Sequence, residues 1–469
     1  MRYDTVMWRE TFGSGLKMAA RNAAPATSAD HYNLATAIRI VRRMETSATR
    51  GAVFSEIKNK NALYRLVDKV YSTAGSRILQ PLALFAYMLK CVLAVGPSDK
   101  YGAEALSISN FENERHSVDR IAQLVPDARL LRLSLKRGHL LGSGQLRSAL
   151  RMLGALPRIW PFLSCLARSH SFMPAARIAS ALAFYMRFAQ LFVDRPKLVA
   201  AIVASNYSPE AVGLSAAAHA SGRRVIYINH APVPANGALV PPVLADCAVF
   251  YGDAVRQTYT NRSRCSANVA LIGQPWTARP MEWRDEVRRI GIFLTALTRA
   301  DSVTKLVAEI HASDPDVRIL IRNHPVALLQ TDFSNLETGN VDVTIGNPLD
   351  DEILACDLII CGNSGVAMNA LSGGRPVAYL DSLDGLNFDY NGFVENGLIC
   401  HMPSWCEDAY ARLKAFYGRP DWQDVMRSYD ASYGADTEVL NRQAAKVISR
   451  YLNPLPAPGP AASRARSRA

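Results

Sequence analysis

The sequence predicts an α/β protein made of two doubly wound, Rossmann-like domains facing a cleft, with a helical amino-terminal extension and a helical insertion. Three observations lead there. Short apolar runs alternate with helical stretches from Ala105 onward, and the alternation starts afresh after a turn-rich joint at Gly273–Pro280 (GQPWTARP). Two runs in the last third, Ile319–Pro325 (ILIRNHP) and Asp357–Asp381 (DLIICGNSGVAMNALSGGRPVAYLD), end abruptly in polar or small residues. Parallel α/β sheets place their ligand-binding loops at such strand ends. At 469 residues the chain is also too long for one ordinary core.

Residues 1–100 show no strong period and no catalytic motif, and they read as the helical extension. Within them Ile78–Val95 (ILQPLALFAYMLKCVLAV) is nearly long enough to span a bilayer, but Pro81 and Lys90 favour a buried or interfacial helix. Residues 101–275 form the first Rossmann-like domain. It opens with a strand at Ala105–Ser109, the turn NFENE, a helix from about His116 to Val125 and a strand at Arg129–Leu135. A helical insertion, 136–197, interrupts it. The alternation resumes with Leu198–Ala204, the Ala-rich helix Pro209–Ala220, and strands at Arg224–Ile228, Ala245–Tyr251 and Val269–Ile272.

Residues 276–453 form the second domain. Its strands are expected at Ile290–Leu294, Val317–Arg322, Val341–Ile345, Asp357–Cys361, Pro376–Leu380 and Gly397–Cys400. Helices at Glu407–Tyr417, Asp421–Tyr429 and Glu438–Leu452 close the fold, the last crossing back toward the first domain. The Pro/Ala/Arg-rich residues 454–469 read as a disordered tail.

Apolar residues make up 49% of the chain, which excludes a disordered or fibrous protein. The amino terminus MRYDTVMWRETFGSG lacks the basic patch, apolar run and cleavage site of a secretory signal. Eight cysteines without a CxxC pair read as core thiols of a reducing compartment, so a cytoplasmic protein without a metal site is expected. The net charge is +12, and residues 136–197 hold ten Lys/Arg against the single acid Asp194. Aromatics there sit among Leu, Ala and Met, which is no nucleic-acid signature. The stretch reads as a surface for anionic lipid, peripheral on the inner face of the plasma membrane, or as the solvated basic face of a helical subdomain.

Arg322 and His324 lie two apart at a strand end, so they point to one face while strand geometry lasts. Pro325 keeps His324 extended and stops the strand. Guanidinium and imidazole side by side suit a diphosphate or a departing phosphate; a loop cap and a surface ion pair are the plainer alternative. The turn Gly362-Asn363-Ser364-Gly365 permits close backbone approach between strand and helix.

These segments resemble the donor-binding half of bacterial surface-polysaccharide transferases with the GT-B fold. The resemblance rests on Arg322-Asn323-His324-Pro325 and CDLIICGNSGVAMNALSGGRPVAYLD, with support upstream from IYINHAPVPANGALVPPVLADCAVFYGDAVRQTY and LIGQP. It covers roughly Leu198 to Cys400. The group includes the capsule sialyltransferase and polysialyltransferase type, with His-Pro and Ser/Thr motifs, and the CDP-glycerol glycerophosphotransferase-like superfamily.

The resemblance implies an inverting transferase whose second domain binds a CMP- or CDP-activated donor, with His324 and Ser364 at the donor phosphate. Gly362, Gly365 and Asn369 stand where the teichoic type favours acidic residues and paired serines, which turns the expectation toward a CMP-sugar. Met368 and Asn369 replace the glutamates with which retaining enzymes and UDP-GlcNAc epimerases grip a ribose.

The implied function is a glycosyltransferase of capsule, exopolysaccharide or lipopolysaccharide synthesis, with a lipid-linked or oligosaccharide acceptor bound in the first domain. A CDP-glycerol-type polyol-phosphate transferase and a non-catalytic GT-B-fold binding protein are the alternatives. Inversion needs a base for the acceptor hydroxyl. Glu112, Glu114 and His116 in the turn after the first strand are candidates, and His230, directly after RVIYI, stands to act on the acceptor or the leaving phosphate. Asp384 and Asp389, in the loop Asp381–Tyr390, are candidates for ribose or acceptor hydroxyls. No DxD-type pair compels a metal, and no cofactor beyond the nucleotide-activated donor is expected.

Overall fold

The computed structural model describes residues 32–73, 78–96, 103–135, 142–234, 240–261, 265, 267–276, 278–284, 286–325, 330–386 and 388–452. The tail 454–469, Lys136 and Arg137 lie outside these residues.

Four helices come first: α1 (Leu34–Glu45), α2 (Ala48–Lys60), α3 (Ala62–Thr73) and α4 (Leu79–Ala94). The first parallel sheet then contains β1 (Ala105–Ser109), β2 (Leu130–Ser134), β3 (Ala200–Val203), β4 (Arg224–Ile228), β5 (Cys247–Phe250) and β6 (Asn268–Leu271), in the order β2-β1-β3-β4-β5-β6. Between these strands run α5 (Glu112–Leu124), α6 (Ser143–Ser169), α7 (Phe172–Asp194), α8 (Pro209–Ala220) and α9 (Asp253–Asn261). Strands β3 and β5 are apolar throughout and fully buried, as a sheet covered on both faces requires.

The second sheet contains β7 (Arg289–Phe293), β8 (Arg318–Arg322), β9 (Val341–Thr344), β10 (Leu358–Cys361), β11 (Val377–Leu380) and β12 (Cys400–Met402). Its order is β12-β11-β10-β7-β8-β9, again all parallel. Its helices are α10 (Ala300–Ser313), α11 (Leu349–Ala355), α12 (Val366–Ser372), α13 (Ala409–Tyr417) and α14 (Trp422–Tyr429). Helix α15 (Thr437–Leu452) then crosses back, burying Ala444, Ile448 and Leu452 in one cluster with Val118 and Ile121 of α5 and with Ile226, Cys247 and Ala270 of the first sheet. Two doubly wound domains facing each other make the GT-B arrangement.

The first core is thicker than a simple Rossmann layer. Helix α8 is buried from Pro209 to Ala218, its one carboxylate Glu210 included, and its Gly213 lets α7 approach so closely that a methyl there would lie 2.9 Å from Phe184 Cβ. Helix α7 is itself buried, packed between α8 and an outer layer of α1, α3, α4 and α6. The carboxyl-terminal half of the basic insertion is therefore core: Arg187 is buried, and Arg177 bonds Glu45 of α1 at 2.6 Å.

Two element starts differ from expectation by three residues or more. The helix at the first turn starts at Glu112, ahead of His116, because the Glu114 carboxylate reaches back to accept the N–H groups of Asn110 and Phe111. The last strand starts at Cys400, since Gly397 is left-handed (φ +70) and the amides of Leu398 and Ile399 donate to the Phe393 carbonyl instead of a ladder.

Candidate functional site

Each strand order reverses once, between β1 and β3 in the first sheet and between β7 and β10 in the second. Open α/β sheets bind ligands in the crevice outside the carboxyl ends of the strands at that point. Both crevices open onto one cleft of ≈ 1450 Å³ lined by residues of both domains.

On the second-domain wall, β7 delivers Thr295, β8 delivers Arg322, His324 and Pro325, and β10 delivers Asn363, Ser364 and Gly365. The two loops are held differently. Buried Asn323 accepts the amides of His324 (3.0 Å) and Thr331 (3.2 Å) and donates to the Thr331 carbonyl, fixing the path past His324. Asn363 donates to Tyr379 Oη and the Phe388 carbonyl, both at 3.0 Å, and accepts the Tyr390 amide at 2.7 Å. Ser364 Oγ accepts the Val366 amide at 3.3 Å, so it turns the chain into α12.

Of the expected donor contacts, Arg322 is engaged by a neighbour and Gly362 and Asp384 lie off the cleft. The Arg322 guanidinium is paired with buried Glu352, which also accepts from Asn347 at 2.9 Å. Arg322 reaches the cleft as half of an ion pair. Asp384 is buried beneath the glycine-serine turn, where it accepts the Asn363 amide and the Thr295 hydroxyl. Burial raises its pKa against the pull of those donors. Gly362 lies over this carboxylate, and a methyl there would overlap Asp384 Oδ2. Neither Gly362 nor Asp384 lines the cleft; together they clamp the β7 and β10 loops across the switch point. Gly362→Ala is expected to cost about 2–3 kcal/mol by forcing that carboxylate away, checked by urea unfolding. Unchanged stability would remove the clamp.

Asp389, considered for hydroxyl binding, accepts the amides of Phe393, Val394 and Glu395. It is a loop-ordering residue.

On the first-domain wall the two acidic candidates separate. Glu112 is 60% exposed in its side chain, paired with Arg115 and with His116 at 3.1 Å, on the solvated rim. Glu114 is 4% exposed, lines the cleft, and has its Oε2 held at 2.8 Å by the Asn110 amide. Burial raises its pKa; the two backbone donors and the field of Arg177 oppose this without cancelling it.

His230 stands at the end of β4, and its Nδ1 meets the Ala204 carbonyl at the end of β3. A carbonyl only accepts, so Nδ1 carries the proton and Nε2 remains as the acceptor of a neutral ring. Burial pushes its pKa down to about 4. Two residues on, Pro232 Cδ would lie 3.1 Å from a methyl at Gly365, so the two walls meet there.

Sequence reasoning missed the cations of this wall. Arg50, from α2, and Arg177, from α7, both line the cleft on either side of Glu45. One signal was available: Arg177 interrupts the apolar run AARIASALAFY, where a charge must face a partner or a cavity. Nothing marked Arg50. Asn229 is another omission; it is buried, lines the cleft, and its Oδ1 has no partner. Among the described residues no group of three or more His, Cys, Asp or Glu is placed to hold a metal ion.

No protein-family model matches the chain, and no curated protein is similar to it. Solved structures with a similar course include a Staphylococcus aureus MnaA–UDP complex (TM-score 0.47, 12% identity, 74% of this chain and 96% of that one). A Methanocaldococcus jannaschii UDP-GlcNAc 2-epimerase scores 0.47 at 9% identity, over 74% of this chain and 99% of that one. The calicheamicin glycosyltransferase CalG4 scores 0.45 at 10% identity, over 76% and 100%. Scores this low carry no inference about ligand or reaction.

Proposed function

We propose that the protein is a glycosyltransferase of bacterial cell-surface polysaccharide synthesis that moves a sugar, with inversion, from a CMP-activated donor to a lipid-linked or oligosaccharide acceptor. The observation that carries this reading is the meeting of two switch points on one cleft. One wall bears Glu114 and His230, the other His324 and the glycine-serine turn. The preference for a CMP-sugar follows the resemblance of the RNHP and GNSG segments.

In this reading the acceptor hydroxyl oxygen attacks the anomeric carbon and gives its proton to Glu114. The bond between that carbon and the phosphate oxygen breaks, its electron pair leaves on the phosphate, and His324 hydrogen-bonds the oxygen on which charge grows. Glu114 is preferred over His230 as base, because a raised carboxylate pKa strengthens a base while a histidine lowered to about 4 is a weak one. His230 Nε2 then orients the acceptor hydroxyl.

The test is a thermal-shift panel of CMP, CDP, UDP and GDP. A nucleotide at a hundredfold excess over its Kd adds about 2.7 kcal/mol, so the matching base stands out. CMP is expected to stabilise the wild type, and His324→Ala to lose that shift while melting normally without ligand. If none of the four nucleotides raises Tm, the reading falls. A product whose mass shows glycerol phosphate transferred from CDP-glycerol would replace it with the polyol-phosphate reading.

A further inference from the structure

The outer helical layer has an unusual surface. A helix at the edge of a globule ordinarily turns polar residues outward. Helix α4 instead exposes Leu79, Leu82, Ala83 and Ala86, preceded by exposed Ile78, with only Lys90 at its far end. Helix α3 exposes Leu63, Leu66 and Val70 at helical spacing, with Arg65 and Lys69 beside them.

Helix α6 runs antiparallel to α4, its Gln145 bonding the carbonyls of Leu93 and Val95 at the α4 carboxyl end. It exposes Leu146, Leu150 and Leu153, interleaved with Arg151 and Arg158 and followed by Arg168. No acid occurs in α4 or α6, and the one acid of α3, Asp68, is paired with Lys58. The sheet and the cleft loops lie on the other side of α7, so this face is separate from the chemistry already described.

We infer that the outer face of α3, α4 and α6 docks on an anionic lipid bilayer. The charge pattern selects the occupant. Leucines flanked by unopposed arginines match acyl chains below a negative headgroup layer, whereas two copies of the same basic face repel each other. No helix among the described residues is long and apolar enough to cross a membrane, so the contact is parallel to the surface. This inference relocates the lipid contact. Of the stretch 136–197, α6 belongs to the surface and α7 is core, while the leucines of residues 63–82 complete the face. Helix α2 connects this face to the cleft: it leads into α3, puts Arg50 in the cleft lining, and its Lys60 reaches Thr331 Oγ1 of the second domain at 3.2 Å.

The test is flotation of the full chain with phosphatidylcholine vesicles, with and without phosphatidylglycerol, at low and high salt. The wild type is expected to float with the anionic vesicles only, and less at high salt. Leu66→Gln/Leu79→Gln and Arg151→Gln/Arg158→Gln are each expected to lower the bound fraction about tenfold or more. Neither pair should change Tm or the nucleotide-induced shift, which separates a failure here from a failure of the transferase reading. Absence of anionic-vesicle binding, or leucine variants that float as wild type does, would overturn the inference. Two further outcomes would also overturn it: a fall in Tm would assign the face to another part of the chain, and a wild-type dimer that the leucine variants dissociate would assign it to a second copy.

Discussion

Glu114→Gln is expected to lower kcat by about 10³-fold, in the middle of the range for removing a positioned base, with little change in folding. The amide still presents an oxygen to the Asn110 and Phe111 amides, so the helix cap survives while proton acceptance is lost. The pH profile separates a base from a merely positional group. Burial raises the Glu114 pKa, and the ionised form is the active one, so kcat/KM falls as pH drops through a value above the ordinary glutamate range.

The stability linkage runs the opposite way. A carboxyl whose folded pKa exceeds its unfolded pKa favours the fold below the unfolded value, and that contribution is lost as pH rises through the folded value. Glu114→Gln therefore removes both the acid limb of the rate profile and a small loss of stability toward neutral pH. Glu112→Gln, on the exposed rim, should change kcat less than about twofold. A Glu114→Gln enzyme within tenfold of wild type, or one that keeps the acid limb, would move the base to another residue.

The strands were legible because each is a short apolar run bounded by turn residues, and parallel sheets buried on both faces are written that way. The helical layer was not. Helices α1, α3 and α4 looked like an extension because they pack on α7, far along the chain, and periodicity reports only which face is buried, never against what. The same limit applied to the site. RNHP and GNSG announced a cleft because local backbone chemistry marks them, and His230 because it follows a strand. Asp384 looked like a ligand-binding acid in a cleft loop, yet the space above Gly362 drew it under the turn. Arg322 looked available until Glu352, thirty positions on, was folded against it. Residue type and strand end were readable; the partner that occupies a side chain was not.

Asp430→Ala is expected to be the most destabilising of the substitutions considered, at about 4 kcal/mol in urea unfolding. Asp430 is fully buried where the chain crosses between the domains. It accepts the Gln274 amide at 2.9 Å, the Ser432 amide at 3.0 Å, Ser432 Oγ at 2.5 Å and Ser372 Oγ at 3.1 Å. Those donors belong to three segments: the linker after β6, the end of α12 and the return toward α15. Alanine would relieve the cost of burying a carboxylate but leave two amide N–H groups and two hydroxyls without their acceptor.

Water cannot readily take its place, because the crossing is tight. Gly273 adopts φ +67, and a methyl there would lie 2.7 Å from the Ser432 amide nitrogen. Arg120, which donates to the carbonyls of Ile272 and Gly273 at 2.8 and 2.7 Å, would also lose the nearby negative charge. Asp430→Asn keeps one acceptor oxygen for the amides and should recover about half of the loss. Since both domains hang on this carboxylate, Asp430→Ala is also expected to split a single unfolding transition in two. An alanine variant within about 1 kcal/mol of wild type would show that the crossing is held by the packing of α15 on the first sheet instead.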